Sequence, residues 1–187
     1  MATAKETRHE SLGLDVERLL TMYRQMVVAR AVDRRMWVLN RQGKAPFVIS
    51  GQGHEAIQVD AANAMRPGVD WLVPYYRDLA FCLALGQTPQ DFMLSVFGRA
   101  EDPNSGGRQM PSHFGSSRLR IMTKSSVVGP QICHAAGIAY AANIHGFHDI
   151  AVTCIAKAGT PQDPSHEVPQ RARLHPPATF APTTDHT

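Results

Sequence analysis

Tyr76-Arg77 is the residue pair with the clearest chemistry in this sequence. A guanidinium offers phosphate oxygens a planar fork of donors and never loses its charge, and a neighbouring phenol adds one further donor. The same two residues also suit a surface arginine beside a core tyrosine, and the residues alone leave both readings open. His113, in the loop Met110-Pro111-Ser112-His113, is the second candidate. An imidazole titrates near neutral pH, so it can line a substrate channel and carry protons. Equally, it can fix the hydrogen bonds of its own loop. His54 and Glu55 read as structural, with Glu55 at a helix start where the dipole favours a carboxylate. His134 and His145 read as solvated, and no His/Cys spacing fits a zinc site.

Elements of regular period must position these residues. Residues 1–13 are polar and read as a loose N-terminus. Asp15 then offers an N-cap, with Glu17 in the first turn. Val16, Leu19, Leu20, Tyr23, Met26 and Val27 follow at helical spacing, and Met36, Trp37 and Leu39 extend the pattern, which predicts one amphipathic helix over 15–41. Arg24, Arg34 and Arg35 read as its solvated or interface face. Gly51 and Gly53 form a turn, Glu55–Met65 reads as a helix, and Arg66-Pro67-Gly68 breaks it. Trp71–Tyr76 is strand-like and delivers Arg77 and Asp78. A helix to Leu85 follows, then a second begins at Thr88-Pro89-Gln90-Asp91 and ends at Gly98. Residues 99–124 form a long polar, glycine-bearing loop, and such a loop inside a domain is functional or disordered. Gln131–Asn143 reads as a helix whose small residues permit close approach to a neighbouring backbone. Ile150–Ile155 is a nearly apolar, β-branched run that fits a buried parallel strand. Together these predict an α/β fold: a helical N-terminal region, then the first part of a parallel sheet layer.

Bulk properties exclude several classes. The chain has 187 residues, 43% hydrophobic and 19% charged, which fits a soluble globular domain with a core. A net charge of +3 with scattered basic residues does not suggest nucleic acid. No run reaches the roughly 18 apolar residues of a membrane span. Cys82, Cys133 and Cys154 make no disulfide framework, and no signal peptide is evident, so a cytoplasmic location with reduced thiols is expected. Cys82 and Cys154 sit in apolar runs and read as buried thiols.

Four segments carry a family resemblance: Ser50-Gly51-Gln52-Gly53-His54-Glu55-Ala56, Tyr76-Arg77-Asp78-Leu79-Ala80, Gly106-Gly107-Arg108-Gln109-Met110-Pro111-Ser112-His113-Phe114-Gly115, and Ser125-Ser126 followed by Gly137-Ile138-Ala139-Tyr140-Ala141-Ala142. In order and spacing, residues 14–155 resemble the alpha subunit of the 2-oxo acid dehydrogenase E1 component, with the wording of the third segment closest to the branched-chain (2-oxoisovalerate) type; pyruvate or acetoin types are the alternative. The resemblance implies a thiamine-diphosphate-binding α/β fold and an α2β2 tetramer with an E1 beta subunit. It also implies oxidative decarboxylation of a small 2-oxo acid and acyl transfer to a lipoyl-bearing E2 component, an oxidoreductase activity with a disulfide acceptor. It assigns Tyr76 and Arg77 to the cofactor diphosphate, Ser126 to the cofactor's vicinity and Val128 to the face of its pyrimidine. His113 falls in the matching loop. Ser125, Val127 and Gln131 align with a potassium-binding loop in which Pro130 replaces a threonine hydroxyl.

The metal half of that site is where the sequence departs from the family. The resemblance places a Gly-Asp-Gly or Gly-Glu-Gly step after Ile155, leading to Asn-Asn, as oxygen ligands for Mg2+. Here Ala156-Lys157-Ala158-Gly159 follows, and a lysine repels the cation. From Pro161 onward there are six prolines, and Val168, Leu174 and Phe180 are the only large apolar residues. Residues 156–187 are therefore expected to be a disordered, out-of-frame tail, and the chain alone is expected to be inactive. The competing expectation is a non-catalytic fragment that retains at most subunit-interface binding.

Overall fold

The computed structural model describes residues 9–123, 125–156 and 180–185. A 3-10 turn, Glu10–Leu12, precedes helix α1, Val16–Arg41. Asp15 caps α1 by accepting the backbone N–H of Arg18 at 2.7 Å. Helices α2 (Glu55–Asn63), α3 (Leu79–Ala84) and α4 (Pro89–Val96) follow, with strand β1 (Trp71–Val73) between α2 and α3. Thr88 and Asp91 close a reciprocal capping box at the start of α4, with Pro89 at its first position. Helix α5 (Pro130–Ile144) leads into β2 (Ala151–Ala156).

The apolar spacing of α1 is real, but only its second half, with Met36 and Leu39, is buried as a continuous face. Val16, Leu20, Tyr23 and Val27 are exposed, whereas Met22, Ala29, Val32, Met36 and Leu39 pack into the core. The first half of α1 is apolar on two sides, so period alone cannot choose between them. Packing against α2 and α3 makes the choice. Arg24, Arg34 and Arg35 are exposed, as expected.

β2 pairs in parallel with β1, Trp71 opposite Ala151. On its other side it pairs in parallel with β3, Phe180–Asp185, with Ala151 opposite Phe180. Strand β3 falls within the segment 156–187 that was expected to be a disordered tail. Pro182 is tolerated because β3 is the edge strand among the described residues, where a missing N–H need not break a ladder. The remainder of the expected tail, 157–179 and 186–187, lies outside the described residues, as do residues 1–8 and Lys124.

Residues 151–155 are all buried, which accounts for the unbroken apolar run of β2. α5 packs on the sheet through Ala135 and Ala139, against Val73 and Ala151. These alanines let the helix approach the strands closely. Ile132 meets Ile155 near the other end, so α5 runs antiparallel to β2. The N-terminus of α5 therefore lies at the carboxyl end of the sheet.

The strand at Trp71 is shorter than the expected 71–76. Pro74 removes a donor, and the chain turns at once, with the N–H of Asp78 donating to the carbonyl of Tyr75 at 3.0 Å. The loop over 99–123 is ordered around two side chains. Asp102, 4% exposed, accepts from the backbone and side chain of both Asn104 and Ser105. Asn104 Oδ1 in turn accepts from Gln87 at 2.7 Å and from the N–H of Gly115 at 3.0 Å.

Candidate functional site

Three chain segments leave the sheet at its carboxyl end, where ligands of open parallel sheets bind. The first follows β1 and carries Tyr76 and Arg77. The second follows Ile121, which bridges Leu72 in parallel on the free edge of β1. Parallel pairing, continued by the N–H of Met122 donating to the carbonyl of Leu72 at 2.8 Å, starts this segment in the direction taken by 73–77. The third is the end of β2 beside the start of α5. Candidates from distant parts of the sequence thus follow segments that leave the same end of the sheet.

Arg77 is held by its neighbours on both sides. Its Nη1 donates to the carbonyl of Ser50 at 2.6 Å, and its guanidinium also hydrogen-bonds the Tyr75 hydroxyl. The guanidinium lies 5.4 Å from the Tyr76 ring centroid. The Tyr75 hydroxyl donates to the Tyr76 hydroxyl, so the Tyr76 proton remains available to a third group. Burial, then the hydrogen bond and charge of Tyr76, push the Tyr75 phenol well above its usual range, with Arg77 opposing. Tyr75 therefore stays a donor at any ordinary pH.

Two buried carboxylates that sequence reasoning missed build this corner. Asp78, 2% exposed, accepts the N–H of Tyr75 at 2.7 Å and the Gln58 side chain at 3.1 Å. It fixes the turn that delivers Tyr76 and Arg77. Asp33, also 2% exposed, accepts from Ser50 Oγ, the N–H of Gly51 at 2.7 Å and Gln52 Nε2 at 2.8 Å. It anchors the loop whose carbonyl holds Arg77. An acid set between Val32 and Met36 on the buried face of a helix was the available signal. Gly51 is required at its position, because a Cβ there would stand 2.4 Å from the carbonyl oxygen of Arg77.

His113 and Ser126 come together across thirteen residues of sequence. His113 is 6% exposed, and its Nε2 lies 2.6 Å from Ser126 Oγ. Its Nδ1 lies 3.2 Å from the carbonyl of Pro111. Ser112, beside it, holds a left-handed φ of 67°, a conformation that costs energy for a residue with a side chain. Ser126 is exposed, as are Ser125 and Val127. Val128 is half-buried against the main core.

Gln131 is 2% exposed and tied at both ends. Its Oε1 accepts the N–H of Gly129 at 2.9 Å, and its Nε2 donates to the carbonyl of Cys154 at 3.3 Å. It thereby staples the start of α5 to β2. Among the described residues, no three His, Cys, Asp or Glu side chains converge as a metal set. Lys157 and the expected metal-binding step lie outside the described residues.

With this geometry in view, the chain can be compared with known proteins. Residues 23–176 match the Dehydrogenase E1 component family. The chain belongs to that family. It is 48% identical over 168 residues to the 2-oxoisovalerate dehydrogenase subunit alpha of Bacillus subtilis (strain 168), covering 90% of this chain and 51% of the relative. It is 35% identical over 145 residues to the mitochondrial 2-oxoisovalerate dehydrogenase subunit alpha 1 of Arabidopsis thaliana, covering 78% and 30%. Against the mitochondrial human subunit alpha it is 28% identical over 157 residues, covering 84% and 35%. The chain thus spans about half the length of the Bacillus relative and about a third of the others.

The remaining expectations for this family member are placed as follows. Glu55 is structural, in a bidentate pair with Arg30 at 2.5 and 2.9 Å. His134 and His145 are exposed, and Cys82 and Cys154 are buried. Burial, with the charge of Asp78, raises the Cys82 thiol well above its ordinary range, which suits an inert thiol. An open groove of about 480 Å³ lies between α1 and the start of α2, lined by Val27, Arg30 and Glu55 among others. None of the sequence-predicted site residues lines it. Among the described residues, no helix is long and apolar enough to cross a membrane.

Proposed function

We propose that this chain is the N-terminal part of a branched-chain 2-oxo acid dehydrogenase E1 alpha subunit, and that it supplies the diphosphate side of a thiamine diphosphate site. One observation carries the reading: Tyr76 and Arg77 stand at the carboxyl end of β1, each with donor capacity left after its internal bonds. That donor set suits a diphosphate. The N-terminus of α5 at the same end of the sheet adds a favourable potential for an anion. Val128 would supply an apolar contact to the cofactor's ring, and Ser126 a polar one.

When bound, thiamine diphosphate supplies the electron sink for decarboxylating a 2-oxo acid. The residues of this chain would hold and orient it. Arg77 neutralises phosphate charge, and Ser50 and Asp33 keep the guanidinium in place. His113, buried behind Ser126, reaches the crevice only through that hydroxyl.

The sequence after Ile155 lacks the acidic and asparagine ligands for Mg2+, so no step is assigned to that ion. The Gln131 staple favours a structural role over one as a potassium ligand, and Ser125 and Val127 alone do not make a shell. The words "subunit alpha" in the relatives' names support assembly with a further subunit; a beta subunit, a lipoyl-bearing E2 component and a cytoplasmic location are part of the proposal. Without the metal half, the chain alone is expected not to turn over.

Titration calorimetry of the full chain with thiamine diphosphate and Mg2+, with and without a beta subunit, tests the proposal. Binding that Arg77→Gln weakens by about 10- to 100-fold, the worth of one charge-assisted hydrogen bond, is expected. Millimolar or weaker binding under both conditions would reject the enzyme reading and favour a non-catalytic fragment.

A further inference from the structure

The hydrogen-bond chain Pro111–His113–Ser126 has a direction, and that direction determines what Ser126 can offer a ligand. A carbonyl oxygen only accepts, so His113 Nδ1, 3.2 Å from the carbonyl of Pro111, must carry the ring proton. In the neutral imidazole Nε2 then has a lone pair and no proton. Ser126 Oγ, 2.6 Å away, must donate to it. The single hydroxyl proton of Ser126 is committed inward, toward a residue 6% exposed, while Ser126 itself is exposed. What faces the crevice is an oxygen with lone pairs.

We infer that Ser126 is an acceptor site for an N–H or O–H group of the ligand, not a donor to its phosphates, and that His113 is the positioning residue that enforces this polarity. This rests on the reading above and sharpens it. The anionic end of the ligand belongs to Arg77 and Tyr76, where donors remain. The donor-bearing end belongs to Ser126. A phosphate oxygen placed against Ser126 would meet lone pairs with lone pairs.

Two measurements test the assignment. Nitrogen-15 long-range correlation spectra of the histidine rings in the full chain should show His113 as the neutral Nδ1–H tautomer, with an Nε2 shift that Ser126→Ala moves. A His113 with its proton on Nε2, or doubly protonated at neutral pH, would overturn the inference without any ligand. Titrations with thiamine diphosphate and inorganic pyrophosphate provide the second test. Ser126→Ala should weaken thiamine diphosphate by about 5- to 10-fold, one ordinary hydrogen bond, and leave pyrophosphate unchanged. Ser126→Thr should restore wild-type behaviour. His113→Gln, whose carbonyl can still accept the Ser126 proton, should keep the ratio of the two affinities. His113→Leu should not. Equal weakening of both ligands by Ser126→Ala would identify a phosphate donor and sink the idea. If neither ligand binds the wild-type chain, the cofactor reading fails while the tautomer still decides the polarity of Ser126.

Discussion

Gly51→Ala perturbs the site without removing a polar side chain. The new Cβ would stand 2.4 Å from the carbonyl oxygen of Arg77, about 1 Å short of ordinary contact. The 51 loop cannot simply retreat, because the N–H of Gly51 donates to buried Asp33 at 2.7 Å. Either the Arg77 backbone moves, or that charge-assisted bond stretches. Overpacking of this kind costs about 1–3 kcal/mol, and losing the bond costs about 1.5–3 kcal/mol. Only one of the two must yield, so a loss of roughly 2 kcal/mol is expected. The displaced Arg77 would also lose its alignment with a bound diphosphate, since the bond from its Nη1 to Ser50 links the same two segments. Urea unfolding read by circular dichroism gives the stability, and calorimetry with pyrophosphate gives the affinity. Gly137→Ala is the control, because nothing lies within 4 Å of its added Cβ. An unchanged midpoint and affinity in Gly51→Ala would refute the close approach and, with it, the anchoring of Arg77.

The control carries its own prediction: Gly137→Ala in the interior of α5 should stabilise the fold by about 0.5–1 kcal/mol in the same urea assay. Thr88→Ala removes half of the capping box of α4 and should destabilise by about 1 kcal/mol, read as a lower urea midpoint. For Glu55, burial pushes the carboxyl up, but the hydrogen bond from Arg30, the backbone N–H groups of Glu55 and Gly53, and the Arg30 charge together hold it below its usual 4.5. A depressed carboxyl contributes stability that is complete above its unfolded value and disappears as pH falls through the folded one. Urea midpoints should therefore drop below about pH 4.5, and Glu55→Gln should flatten that drop.

The helix start at Asp15, the cap at Thr88 with Pro89 behind it and the buried strand at 151–155 were legible because each depends on local chemistry, whereas the early end of β1 at Pro74 was not read. A short polar side chain caps a helix, a proline lacks a donor, and an unbroken apolar run needs cover on both faces. Tyr76 and Arg77 were candidates on the same local ground, as adjacent residues whose types suit phosphate. Period did not decide which face of α1 is buried, since Leu20 and Met22 are equally apolar. Only the packing of α2 and α3 against Ala29, Val32 and Met36 chose the side. Asp33, Asp78 and the His113–Ser126 couple were hidden for a related reason. Their partners lie 2 to 20 residues away, and burial, which no spacing reports, determines whether such a bond matters. The sequence by itself determined the family and the residue types of the site. Tertiary structure decided their partners: buried Asp33 anchors the loop whose carbonyl holds Arg77, and His113, beside the carbonyl of Pro111, meets Ser126.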